Sequence, residues 1–116
     1  MTESSISRDL LRGNMDTIIL RVLTEGDNYG YEIIKAISKY SYGQYELKEP
    51  SLYTSLKRLE SHGHIKSYWG DESHGGRRKY YTITSSGHEV YLHNLLAWKN
   101  AKKLIDQLIE SEGGAK

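Results

Sequence analysis

A run of small polar and basic side chains between Pro50 and Gly63 has the residue types that contact DNA. Leucines recur there at helical spacing and predict a buried face, formed by Leu52, Leu56 and Leu59. The opposite face is then expected to carry Ser51, Thr54, Ser55, Lys57 and Arg58. Hydroxyl groups reach base edges or phosphates, and basic groups pair with backbone phosphates. The pattern is therefore consistent with nucleic-acid recognition, and equally with an ordinary solvated helix face.

A second basic cluster, Arg77-Arg78-Lys79, directly follows the glycines Gly75 and Gly76. From residue 57 to residue 79 there are six basic and three acidic side chains, a local charge of +3, whereas the whole chain carries only +1. On a strand, alternate residues point to the same side, so only Arg77 and Lys79 would act together. Clustered positive charges bind phosphates or enter a minor groove. Asp71 and Glu72 in the same loop oppose a simple basic tip.

The sequence lacks the residue patterns that enzymatic catalysis or metal binding would need. The chain has no cysteine, which excludes disulfides, thiolate zinc sites and cysteine nucleophiles. His62 and His64 are two residues apart, and His88 and His93 are five apart, so neither pair has the one-turn spacing of a helical metal site. Gly75-Gly76 lacks the lysine of a phosphate-binding loop. We therefore expect no enzyme activity, no metal and no cofactor.

Composition favours a globular protein that is not inserted in a membrane. A length of 116 residues suits one domain with or without an appendage, and 37% hydrophobic and 27% charged residues argue against disorder. The N-terminal residues lack the apolar core of a signal peptide. No apolar run approaches the roughly 18–20 residues that cross a bilayer. These features predict a cytoplasmic location.

Hydrophobic periodicity predicts three helices in the first part of the chain, at about residues 7–25, 28–42 and 50–62. Ser7 is the expected N-cap of the first and Gly26 its stop, and Asp27 or Asn28 is expected to cap the second. Pro50 suits the first turn of the third helix, where its missing N–H is not needed. A short extended piece is expected at residues 44–47.

The period then changes to that of strands. Ile65–Trp69 and Lys79–Ile83 are rich in β-branched and aromatic residues and flank the glycine-containing loop, which predicts a hairpin over residues 64–83. Thr84 is the expected cap of a long last helix over residues 84–112, and residues 113–116 are expected to be disordered. Its apolar stripe is spaced alternately by four and three residues and consists of Tyr91, Leu95, Trp98, Lys102, Ile105 and Ile109.

This order of elements predicts a mainly α (α+β) fold, a winged helix-turn-helix over residues 1–83 followed by a dimerisation helix over residues 84–112. A helix this long must pack its stripe against something, and a second copy is the simplest partner. In a two-fold dimer two Trp98 indoles would face each other and form a slot for a flat ligand. The alternative is that Trp98 only fills the dimer core.

Several short motifs, in the same order, resemble the PadR family of bacterial transcription regulators, and within it the multidrug-sensing LmrR-type branch. The motifs are Gly26–Tyr29, Gly30–Ile33, Ser51–Tyr53, Leu56–Glu60, Ser67–Ser73, Gly75–Tyr81, Thr84 and Gly87–Glu89.

The resemblance implies a homodimeric repressor whose third helix and wing bind an inverted repeat in double-stranded operator DNA. It also implies a small aromatic effector at the dimer axis that releases the DNA, with efflux or stress-response genes under control. The implied DNA-binding residues are Ser51, Tyr53, Thr54, Ser55, Lys57, Arg58, Ser73, His74, Arg77, Arg78 and Lys79. The implied ligand-binding residues are Leu10, Gly13, Asp16, Thr17, Asn94, Leu95, Trp98, Lys99 and Lys102.

One feature departs from a site for cationic drugs. Lys99 and Lys102 flank Trp98, and no acidic residue lies nearby on that helix, which favours neutral or anionic aromatic ligands. Asp16 on the first helix would restore an acidic group if it lined the channel. Two other functions are consistent with the sequence: a DNA-binding regulator without a ligand, and a winged helix that mediates protein–protein contacts.

Overall fold

The computed structural model describes residues 3–70 and 77–111, which form five helices and three short strands. In chain order these are α1 (Glu3–Gly13), α2 (Met15–Thr24), β1 (Asn28–Tyr29), α3 (Gly30–Tyr40), α4 (Glu49–Ser61), β2 (Ile65–Trp69), β3 (Lys79–Ile83) and α5 (Ser85–Glu110). The predicted fold class, mainly helical with a small antiparallel sheet, is confirmed.

The core consists of aliphatic side chains from α2, α3 and α4 that close over one face of the sheet. Leu52, Leu56 and Leu59 of α4 are each no more than 2% exposed, which confirms the leucine stripe inferred from the sequence. Burial of such side chains contributes roughly 1.5–3 kcal/mol each. The other fully buried large side chains are Ile19, Leu20, Leu23, Ile33 and Ile65. Because α4 buries this stripe, its opposite face is presented to solvent.

The sheet has the strand order β1-β3-β2 and is antiparallel throughout. Strands β2 and β3 have the bounds expected for the hairpin, and Trp69 pairs with Lys79 at its outer end. Strand β1 was missed, and the prediction of a helix from residue 28 is wrong there: Asn28 and Tyr29 pair with β3, so α3 begins at Gly30 without a side-chain cap. The extended piece at residues 44–47 lies in a loop.

The prediction of one first helix over residues 7–25 is also wrong. The segment forms α1 and α2, which are separated at Asn14, and α1 begins at Glu3, so Ser7 is not its cap. The Asn14 side chain donates a hydrogen bond of 2.8 Å to the Leu10 carbonyl group. Asparagine competes in this way with the helical backbone, and the preceding Gly13 is a weak helix former. Gly26, with φ of +142°, follows the end of α2 as expected.

Helix α5 starts where the sequence predicts. The Thr84 hydroxyl group accepts a hydrogen bond of 3.1 Å from the Gly87 N–H, as an N-cap does. The helix has 26 residues and is therefore about 39 Å long. Its first half packs on α2, and every residue from Lys102 to Glu110 is exposed. No helix within residues 3–70 and 77–111 is long and apolar enough to span a membrane. The predicted tail at residues 113–116 lies outside the described residues.

Candidate nucleic-acid interface

Helix α4 presents most of the predicted DNA-contacting side chains on one exposed face. Ser51, Tyr53, Thr54, Lys57 and Arg58 are all exposed. The expectation that Ser55 belongs to this face is wrong, because Ser55 is only 4% exposed. It lies three residues after Leu52 and four before Leu59, hence on their side of the helix, and its hydroxyl group accepts a bond of 3.3 Å from Arg58.

Arg58 of α4 is bound to Asp16 of α2 by two hydrogen bonds. Arg58 Nε lies 2.9 Å from Asp16 Oδ2, and Arg58 Nη2 lies 2.8 Å from Asp16 Oδ1. The hydrogen bond to the carboxylate raises the pKa of Arg58 above its ordinary value. The pair fixes α4 against α2 and places a negative charge beside Arg58. Within the described residues Lys57 makes no such ion pair, so Lys57 is the uncompensated cation of the exposed face.

We therefore expect Lys57→Ala and Arg58→Ala to differ in the salt dependence of DNA binding. A cation that neutralises one phosphate adds about 0.9 to the slope of log affinity against log salt. Lys57→Ala should lower that slope by nearly this amount for each chain, whereas Arg58→Ala should change it by less, because Asp16 already balances its charge. Titration at four or five salt concentrations measures both slopes, and equal losses would contradict the expectation.

Thr54 lies one helical turn before Arg58 and is a candidate for base contact. Its hydroxyl group donates a hydrogen bond of 2.9 Å to the Pro50 carbonyl group. The oxygen can still accept a hydrogen bond, which suits the amino group of cytosine or adenine in a major groove. We therefore expect Thr54 to serve sequence selection and Lys57 to serve phosphate attraction.

The hairpin formed by β2 and β3 carries three cations, each lying over an aromatic ring. The distances from the charged group to the ring centre are 5.0 Å for Arg77 over Trp69, 4.8 Å for Arg78 over Tyr29 and 6.0 Å for Lys79 over Tyr81. Contacts of this kind contribute roughly 0.5–1 kcal/mol at exposed sites. Ser73 and His74, also predicted to bind DNA, lie outside the described residues, as do Asp71 and Glu72.

Tyrosines fix the outer part of this hairpin to the segment before α3. Tyr80 stacks on Tyr68 with ring centres 5.7 Å apart and meets Tyr29 edge-on at 5.3 Å. The Tyr68 hydroxyl group donates a hydrogen bond of 2.6 Å to Asp27, which raises the pKa of Tyr68. Sequence reasoning missed this cluster. The alternation of Tyr68 and Tyr80 on paired strands could have indicated their contact, but nothing in the sequence points to Asp27, 41 residues away.

The predicted ligand-binding residues divide into two groups. Leu10, Thr17, Leu95 and Trp98 line an open groove of about 1600 Å³ between α1, α2, α4, the α3–α4 loop and α5. The others lie outside its lining: they are Gly13, Asp16, Asn94, Lys99 and Lys102. The Asn94 side chain instead donates a hydrogen bond of 2.9 Å to the Thr17 hydroxyl group and so fastens α5 to α2.

Two histidines, His62 and His64, lie near each other at the end of α4. The rings of His62 and His64 lie 5.9 Å apart, and His64 Nδ1 is 3.0 Å from the Ser86 hydroxyl oxygen. Within residues 3–70 and 77–111, no group of three or more His, Cys, Asp or Glu side chains is arranged to hold a metal ion.

Helices α3 and α4, followed by the β2–β3 hairpin that forms a three-stranded sheet with β1, define a winged helix-turn-helix protein. A family model described as the transcriptional regulator PadR-like family matches residues 19–93, which include the helix-turn-helix, the hairpin and the start of α5. The chain therefore belongs to the PadR-like family of transcriptional regulators, whose members are not enzymes.

Related proteins match most of the chain in sequence or in structure. An uncharacterised protein of Lysinibacillus sphaericus is 44% identical, over 90% of this chain and 96% of its own length. A transcriptional regulator of Clostridium thermocellum is 46% identical, with a TM-score of 0.81 over 87% of this chain and 98% of that one. Bacillus subtilis PadR, solved in complex with operator DNA, is 28% identical, with a TM-score of 0.61 over 71% of this chain and 46% of that chain.

Proposed function

We propose that the chain is a homodimeric transcriptional repressor that binds operator DNA with α4 and the β2–β3 hairpin, its wing. The observation that carries the proposal is the exposed face of α4, where Thr54 and Lys57 stand opposite a fully buried leucine stripe. Polar and basic groups on a helix held in this way suit a major groove. The solved complex of Bacillus subtilis PadR with operator DNA supports the same use of the fold. The repressor would act in the bacterial cytoplasm, where the DNA lies.

The second half of α5 supports dimerisation. Leu104, Ile105, Leu108 and Ile109 are between 44% and 76% exposed, although they are large and aliphatic. Contiguous apolar surface of this kind marks an interface in proteins that remain in solution. A second copy of the chain, related by a two-fold axis, covers both stripes at once.

A two-fold dimer predicts the form of the operator. Two α4 helices would enter successive major grooves about 34–36 Å apart, on an inverted repeat. We expect footprinting on DNA upstream of the protein's own gene to show two protected half-sites whose centres are about 10–10.5 base pairs apart. A single protected block with no repeat, or no protection at saturating protein, would contradict this part of the proposal.

The groove beside Trp98 is the proposed effector site, as in the LmrR-type branch. Its charged lining residues are four basic side chains and one acidic side chain: Arg8, Arg12, Lys48, Arg58 and Glu46. Asp16, which would have added an acidic group, is instead hydrogen-bonded to Arg58. Asp16 balances Arg58 in this way, and Asp9 balances Arg12 through an ion pair of 3.0 Å. Arg8 and Lys48 then outnumber Glu46, so the groove lining is weakly positive as well as apolar, which suits neutral or anionic aromatic molecules.

We expect Trp98→Ala to weaken the binding of a planar anionic dye at least tenfold, because the indole offers the largest aromatic surface of the groove. Trp69→Phe, a change at the other tryptophan, should leave the dye affinity unchanged. Calorimetric titration with an anionic dye and a cationic analogue of the same shape measures both effects. Tighter binding of the cationic analogue would refute the charge preference.

Ligand would relieve repression by differential binding to two dimer arrangements. If it favours an arrangement with another distance between the wings, operator affinity falls by the same factor by which DNA weakens the ligand. Operator titrations in the presence of saturating dye measure that factor. Unchanged operator affinity across a broad panel of aromatic compounds would leave a ligand-independent regulator.

A further inference from the structure

The two faces of the wing carry different aromatic and basic residues. Directly paired residues of antiparallel strands lie on the same face, and alternate residues along a strand do so as well. Trp69 pairs with Lys79, so these two share the face of the buried Tyr81. On the same face the Ser67 hydroxyl group donates a hydrogen bond of 2.7 Å to Glu60 of α4. This is therefore the face on which α4 lies.

The adjacent arginines Arg77 and Arg78 diverge to opposite faces. Arg77 lies over Trp69 at 5.0 Å, on the side of α4. Arg78 lies over Tyr29 at 4.8 Å, on the side where Tyr68 and Tyr80 stack. The sequence shows two like charges in a row, whereas the structure assigns them to two different surfaces.

We propose that Trp69 is a positioning residue that sets Arg77 as the phosphate contact of the wing, while Arg78 covers the opposite face. The proposal rests on DNA binding by the wing, as proposed above. An arginine side chain has five N–H donors in the plane of its guanidinium group. An arginine held over a ring by a cation–π contact can therefore still donate two hydrogen bonds to a phosphate. Trp69 is 56% exposed, so packing in the core accounts for only part of its surface.

Four variants test this assignment in operator titrations at several salt concentrations: Arg77→Ala, Arg78→Ala, Trp69→Leu and Trp69→Phe. Arg77→Ala should weaken binding and lower the salt slope by about 0.9 for each wing, and Arg78→Ala should change the slope by clearly less. Trp69→Leu should weaken binding about two- to fivefold with the wild-type slope, because Arg77 is retained but less well placed. Trp69→Phe keeps an aromatic face and should restore most of the affinity.

The outcomes separate this proposal from the proposed function. If the wild-type protein fails to select operator DNA over random DNA, the proposed function itself is contradicted. With selective wild-type binding, equal affinities of Trp69→Leu and wild type, or equal slope losses for the two arginine variants, would overturn the positioning proposal. Thermal melting of each variant detects a folding defect, and Trp69→Thr, whose side chain suits a strand, replaces Trp69→Leu if the latter melts early.

Discussion

Gly87→Ala should lower the melting temperature by about 10–20 °C, the largest effect expected of an added methyl group among the glycines of residues 3–70 and 77–111. Gly87 lies in the first turn of α5 and is buried. A Cβ atom there would overlap the His64 carbonyl oxygen and lie 3.1 Å from the carbonyl carbon and 2.7 Å from Ile83 Cγ1. The His64 oxygen cannot easily retreat, because it accepts a hydrogen bond from the Thr84 N–H at 3.1 Å. Overpacking of this kind costs about 2–3 kcal/mol.

The loss of stability expected for Gly87→Ala is opposite to the usual effect of such a substitution. Glycine-to-alanine changes inside helices usually stabilise, by roughly 0.5–1 kcal/mol. Gly13→Ala is the matched control, since a Cβ atom there meets no other heavy atom within 4 Å. Calorimetric melting of both variants at one protein concentration measures the difference. A Gly87→Ala protein as stable as wild type would show that α5 does not press on the start of β2.

Placing glutamate at both Ile105 and Leu108 should convert the dimer to a monomer and weaken operator binding at least a hundredfold. Each substitution puts a charge into a stripe that a second chain would cover, and an unpaired charge in an apolar interface is costly. Two linked half-site contacts gain a factor of about 10²–10⁴ over one, and the monomer loses that gain.

Lys103→Gln is the control for this change. Lys103 is exposed on the other side of α5, and the substitution also removes one positive charge without touching the stripe. Light scattering coupled to size-exclusion chromatography gives the mass of the protein in solution, and gel-shift titration gives its affinity for the operator. A double variant that still elutes at twice the chain mass would show that α5 beyond Trp98 is not the dimer contact.

Patterns confined to one element were readable from the sequence. The hairpin strands, the Pro50 start of α4 and the Thr84 cap each depend on a few neighbouring residues, and the structure places them where expected. Strand β1 has only two residues and no period of its own, so it exists solely because β3 pairs with it. The interruption at Asn14 was hidden because the apolar repeat continues through it.

Side-chain environments were less predictable. Ser55 is polar and was expected to be exposed, but its position among the leucines buries it, and Arg58 supplies its hydrogen bond. The Arg58–Asp16 contact joins residues 42 positions apart, and no local pattern in the sequence indicates it. That contact holds Asp16 beside Arg58, outside the groove lining, and offsets part of the charge of Arg58 on the exposed face of α4.

The most direct measurement is equilibrium binding of the full chain to DNA from its own promoter region, compared with random DNA of equal length at several salt concentrations. Site-selective binding, tighter than to random DNA by a factor of about 10³ or more and weakening steeply with salt, is the predicted result. Equal and weak binding to both DNAs across the salt series would contradict operator recognition by α4 and the wing. It would favour a winged helix that contacts other proteins.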